Sequence, residues 1–203
     1  MRKKSNSLIT AVALLAALVS NAGAAVIYYK DQDIPIPTSY EGVSVNLETT
    51  AVTNAVAGAP GADMNFVFGG AGITSDADET GTSPTWQPVR VGTANTDAVQ
   101  NLALGTVVGP SSVVASDYGG STTHFATFTS GSKGYIGFSV LLADNTTAYG
   151  WAEVTLQDDN TEGVIHGWAY DDTGATLAVG VPEPSHTLLA ILSLSVLALR
   201  RRR

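Results

Sequence analysis

Cysteine is absent from the 203 residues, so no disulfide framework staples the chain and stability has to come from packing and strand pairing. Basic residues are nearly absent from its middle. Seven of the ten lie near the two ends, at Arg2, Lys3, Lys4, Arg200, Arg201, Arg202 and Arg203, which leaves only Lys30, Arg90 and Lys133. All eighteen Asp and Glu fall between Asp31 and Glu183, so the stretch 26–183 carries a formal −15 against −8 for the whole chain. Such a surface repels nucleic-acid phosphates and anionic lipid, and nucleic acid is excluded as a partner. The chain also lacks the G-x-S-x-G nucleophile elbow, the P-loop and G-x-G-x-x-G. With neither H-x-H nor H-E-x-x-H around His124, His166 and His186, zinc is not expected. Ser130 and Lys133 match S-x-x-K, but glycine flanks the motif and a strand follows where a helix is required, so the segment reads as a turn. No catalytic residue is assigned and no enzymatic activity is expected.

Long apolar stripes of helical period are lacking as well. Short alternating runs between turn residues replace them, the signature of an all-β chain. Residues 133–142 put Ile136, Phe138, Val140 and Leu142 on one face and Tyr135, Gly137, Ser139 and Leu141 on the other. Strands over 149–156 and 164–170 follow, separated by turns at Asp144-Asn145 and at 157–160, and together they predict an antiparallel meander. Further strands are expected at 43–47, 64–68, 86–91, 102–108 and 123–128, with one helical turn within 94–104. The spacing predicts one antiparallel β-sandwich domain, jelly-roll-like, over 26–180.

Both ends stand apart from that domain. Arg2, Lys3 and Lys4 precede an apolar run over 8–19 and the small residues Ala22-Gly23-Ala24. This is the order of a secretory signal peptide over 1–25, with cleavage after Ala24 or Ala25. At the other end, 181–203, come Pro182, Glu183 and Pro184, then an uncharged aliphatic run over 188–199, then Arg200, Arg201, Arg202 and Arg203. A helix over 187–199 is about 20 Å long at 1.5 Å per residue, short against a hydrocarbon core of about 30 Å, and the arginines hold its end on the cytoplasmic face. The prolines break any helix there. A plain membrane anchor would explain the apolar run but has no use for the Pro-Glu-Pro.

That order resembles the C-terminal sorting signal of the PEP-CTERM family of exported bacterial proteins, with Pro182, Glu183 and Pro184 as the motif and Arg200–203 as the basic stop. The resemblance implies a short transmembrane helix that anchors the chain until an exosortase-type transpeptidase cuts near the motif. It implies release or attachment at the cell surface. Tyr149-Gly150-Trp151-Ala152 and His166-Gly167-Trp168-Ala169 also resemble the paired Trp-Ala strands that precede the tail in that family, whose body implies a surface β-sandwich without enzymatic activity. The expected partners are the secretion translocon, the exosortase and exopolysaccharide, and the expected location is the cell envelope or extracellular matrix.

Two binding sites are candidates. Asp76 and Asp78 open an Asp-x-Asp-x-x-Gly run like the start of a calcium loop, although Gln87 stands where the bidentate Glu belongs, and turn formation explains the same residues. Asp158, Asn160, Glu162 and Gly163 repeat the partial pattern. Tyr149, Trp151, His166, Trp168 and Tyr170 would share one face if their two strands pair, an aromatic platform for a sugar ring; packing into a core is the competing expectation. A lectin-like, calcium-assisted surface module is therefore the alternative to a purely structural envelope protein.

Overall fold

Ile136, Phe138 and Val140 alternate with Tyr135, Gly137 and Ser139 along the strand on which the molecule is built, and each set meets a different apolar layer. The computed structural model describes residues 26–53, 62–75, 85–94, 96–114, 127–158 and 161–180. Twelve strands follow in chain order: β1 (Val26–Tyr29), β2 (Ile34–Ile36), β3 (Val43–Val45), β4 (Val52–Thr53), β5 (Met64–Val67), β6 (Gly72–Ser75), β7 (Trp86–Pro88), β8 (Val107–Val108), β9 (Lys133–Leu141), β10 (Thr147–Thr155), β11 (Gly163–Asp171) and β12 (Leu177–Ala178). All pairings are antiparallel. The chain is all-β, with one 3-10 turn at Phe68–Gly70 and no α-helix among the described residues.

The expected meander forms as β9, β10 and β11, each nine residues long. Its first hairpin turns at Asn145, which takes φ 68°, while the Asp144 carboxylate accepts the Thr146 N–H at 2.8 Å. The main sheet runs β1-β11-β10-β9-β7, with β2 alongside β1 on the outer side of β11. A second sheet runs β4-β3-β5-β6, and β8 pairs with β12.

Two apolar clusters lie on opposite faces of the main sheet. The larger joins Ile136, Phe138, Val154, Ile165 and Trp168 of the main sheet to Val43, Val45, Met64, Phe66 and Ile73 of the second sheet. The smaller gathers Trp151 and Ala169 with Val89, Leu102, Val108, Leu177 and Val179. Gly137 faces this smaller cluster, and a Cβ there would lie 2.5 Å from Leu102 Cδ1, so the absent side chain is what lets the 102–108 segment close on the sheet. Two polar bonds tie the main sheet to the loop after β3: the Trp168 indole donates to the Leu47 carbonyl at 3.1 Å, and the Tyr29 hydroxyl to Glu48 O at 2.9 Å. A buried indole donor bonded in this way avoids the cost of an orphaned polar group.

Several expected elements differ. No helix forms in the described part of 94–104; Asp97 N–H donates to the Ala94 carbonyl at 3.0 Å in a single turn, and the chain then bridges at Val99 and Asn101. Side chains hold it so: Arg90 Nη1 donates to the Asp97 carbonyl at 2.8 Å, and Asn101 Oδ1 accepts the Tyr135 N–H at 3.0 Å. The strand expected over 102–108 shrinks to Val107–Val108 because Gly105 (φ 80°) closes a turn there. The strand expected over 64–68 ends at Val67, since Phe68 takes φ 54°. Most of 123–128, the helices expected at 1–25 and 181–203, and with them Ala24, Ala25, Pro182, Glu183, Pro184 and Arg200–203, lie outside the described residues. Among the described residues no helix is long and apolar enough to cross a membrane.

Asp63 and Asp171 are both buried carboxylates, and Asp63 lies between the loop after β3 and Thr85. It accepts the Leu47 N–H at 2.8 Å and the Thr85 hydroxyl at 3.0 Å. Burial nevertheless raises its pKa above the ordinary 3.8, outweighing those two bonds. A raised carboxyl contributes stability that is fully present below its unfolded value and is lost as pH rises through the folded one. Asp63→Asn keeps an acceptor oxygen and removes the titration. Measured by urea midpoints from pH 4 upward, the variant should gain on the parent as pH rises; a constant difference would refute the assignment.

Candidate functional site

One extra residue in β11 decides where the site lies. Glu153 stands opposite Gly167, yet Val154 stands opposite Ile165, so His166 has no partner of its own across the ladder. This is a β-bulge, and it resets the alternation. Ile165 and Trp168 both enter the larger core, while His166 is left beside Thr155. The expectation that His166 and Trp168 share a strand face is therefore corrected.

The register also divides the aromatic quartet. Trp151 pairs with Ala169 and Ala152 with Trp168, so the two tryptophans point to opposite faces. Trp168 and Tyr170 pack in the larger core, and Trp151, with half-buried Tyr149 against it, in the smaller one. Trp151 is 2% exposed, Trp168 0% and Tyr170 2%. Burial, then the neighbouring Tyr29, raises the Tyr170 pKa. The shared platform expected of Tyr149, Trp151, Trp168 and Tyr170 does not form.

A polar site forms at the bulge instead. Strands β1 and β2 pair with successive parts of β11 and leave residues 30–33 bowed out opposite His166-Gly167. Asp31 (φ 56°) and Asp33 (φ 43°) occupy the left-handed region, and Gln32 N–H donates to the His166 carbonyl at 2.8 Å. Asp and Asn tolerate that region better than other non-glycine residues. Gly167 is required by close approach, because a Cβ there would lie 2.4 Å from the Tyr29 carbonyl oxygen.

The open cavity here measures about 250 Å³ and has Tyr28, Lys30, Asp31 and Asp33 on one side and Lys133, Glu153 and His166 on the other. His166 is held at both nitrogens, with Nδ1 2.8 Å from Asp33 Oδ1 and Nε2 2.9 Å from Thr155 Oγ1. A carboxylate only accepts, so in the neutral ring Nδ1 carries the proton and Nε2 accepts from the Thr155 hydroxyl. Glu153 Oε1 receives Lys133 Nζ and the Tyr135 hydroxyl, each at 3.3 Å. Burial, and then the Glu153 charge, raise the Tyr135 pKa and keep it a donor. Lys30 lies 3.5 Å from Asp31. Two of the three basic residues of the body thus line one cavity; the third, Arg90, is buried.

Carboxylate, imidazole and hydroxyl in sequence is the arrangement that activates a nucleophile. Here Thr155 is half-buried beside His166 and is not among the residues that line the cavity. The S-x-x-K match is a turn: Ser130 Oγ donates to Gln157 Oε1 at 3.1 Å, and Lys133 opens a strand. Among the described residues no group of three or more His, Cys, Asp or Glu is placed to hold a metal. Asp76 and Asp78, together with His124 and His186, lie outside the described residues.

Tyr28, Lys30, Asp31, Asp33, Glu153 and Thr155 are the site residues that sequence reasoning missed. A signal for the bulge was present, since an isolated glycine inside a strand pattern marks a bulge or a close backbone approach, and Gly167 does both. No family model, curated protein or solved structure matches this chain.

Gly167→Ala drives a methyl group into the Tyr29 carbonyl. It should free β1 from β11 at a cost of about 1–3 kcal/mol. Amide hydrogen exchange over residues 26–29 should speed at least about fivefold; unchanged protection would refute the close-approach argument.

Proposed function

We propose that this chain is a non-enzymatic exported protein of the cell surface or extracellular matrix, carried by the secretion translocon and sorted by an exosortase. The observation that carries this reading is the succession of Pro182, Glu183 and Pro184, an uncharged apolar run over 188–199, and Arg200–203. Before processing, the apolar helix anchors the protein in the membrane; afterwards the body lies in the envelope or among exopolysaccharide. Strand β1 starts at Val26 and β12 ends at Ala178, so cleavage at both expected places spares every described strand. A cysteine-free body suits export without dependence on oxidative folding. The jelly-roll-like sandwich belongs to the same proposal; the single cluster fed by both larger sheets supports it.

Mass spectrometry of the mature protein from its native cells tests the reading. The expected product starts at Ala25 or Val26 and ends near Pro182–Pro184, and replacing Pro182 and Glu183 by alanine should leave a membrane-held precursor. An intact Met1–Arg203 chain in the cytosol would overturn it.

A further inference from the structure

We propose that the cavity at the β11 bulge is a binding site for one ring of a neutral saccharide. The proposal rests on the envelope or matrix placement argued above and names the chemistry of the partner met there.

Charge selects the ligand class. The body repels polyanions at long range, with −15 over residues 26–183. Inside the cavity the same sign wins locally: Asp31, Asp33 and Glu153 outnumber Lys30 and Lys133. A uronate, sulfate or phosphate meets three carboxylates against two ammonium groups. A neutral polyol escapes that penalty, because each hydroxyl donates as well as accepts. Carboxylates take its protons and lysines its lone pairs, in hydrogen bonds strengthened by charge on the protein side.

An aromatic face stands beside those groups. Tyr28 is 40% exposed at the cavity and backed by Trp151 at a ring separation of 5.6 Å, which in turn meets Tyr135 edge-on at 5.7 Å. A pyranose has an apolar C–H side and a polar rim, and Tyr28 next to Glu153 offers one surface to each. Trp151 takes part as the buried support of Tyr28, not as the stacking ring itself.

The site is also preorganised. His166 is bonded at both nitrogens, Glu153 is bonded to Lys133 and Tyr135, and the bulge and the left-handed aspartates set the backbone that carries them. Bulges and strained backbone concentrate where side chains are aimed for function, and groups already ordered lower the entropic cost of binding. The cavity, about 250 Å³, falls just below the roughly 300–1,000 Å³ of drug-sized sites, which limits its occupant to a single ring. For about twelve heavy atoms the affinity scale is on the order of 1 mM.

Saturation-transfer NMR on the full chain, held in a zwitterionic detergent without sugar headgroups, tests this. The probes are glucose, galactose, mannose, N-acetylglucosamine and glucuronate. At least one neutral sugar should bind, with glucuronate at least tenfold weaker. Tyr28→Ala and Glu153→Gln should each weaken binding at least tenfold. Tyr40→Ala, which removes an exposed ring paired with Phe68 elsewhere, should leave it unchanged. No transfer from any neutral sugar, a preference for glucuronate, or dependence on Tyr40 with indifference to Tyr28 would overturn the proposal. Binding by purified chain is independent of tail processing: a chain that binds but is never processed sinks the export reading alone, and a processed chain that binds none sinks this one alone.

Discussion

The extra residue in β11 is the constraint on which the rest of the molecule depends. With Glu153 facing Gly167 and Val154 facing Ile165, both halves of the strand direct their large side chains, Ile165 before the bulge and Trp168 after it, into the same core. In an uninterrupted ladder these two, three positions apart, would fall on opposite faces. The register change brings Trp168 within 3.1 Å of the Leu47 carbonyl on the facing sheet. His166 and Gly167 are what the bulge leaves over, and the polar cavity is built around them.

Coverage of both faces follows from the same geometry. The main sheet has the second sheet on one side and the β8–β12 segment on the other, with a tryptophan buried in each layer. Aromatic rings near the end of this body therefore hold layers together and leave little open surface for recognition. What stays open is the edge, where β1 gives way to β2 and the backbone bows outward at Lys30–Asp31–Gln32–Asp33. The polar cavity lies at that edge, where the β1 and β2 ladders leave His166 and Gly167 without Cα partners.

The parts of the fold that could be read in the sequence are those governed by local alternation. The β9–β11 meander is legible because Ile136, Phe138 and Val140 repeat with period two over a long stretch, and Asp144-Asn145 is turn chemistry. Strands β1, β2 and β12 are two to four residues long, and such pieces exist only because β11 or β8 offers them a partner. The stretch 94–104 carries a weak helical pattern, but side-chain bonds from Arg90 to Asp97 and from Asn101 to Tyr135 hold it in a turn and bridges instead of a helix. In the site, His166 is legible as a histidine on the strand over 164–170; its bonds to Asp33, 133 positions away, and to Thr155 across a hairpin are facts of register that no local pattern encodes. The shared aromatic face failed for the same reason, since simple alternation cannot foresee the bulge.

Intrinsic fluorescence tests this arrangement most directly, because the chain has only three tryptophans and Trp86, Trp151 and Trp168 are all buried. The native chain should emit at the short wavelengths of apolar surroundings, with acrylamide quenching far weaker than in the same chain unfolded in guanidinium. A ladder without the bulge turns Trp168 or Ile165 out of the core. Native quenching that approaches the unfolded value would contradict the bulged register and the two-faced burial built on it.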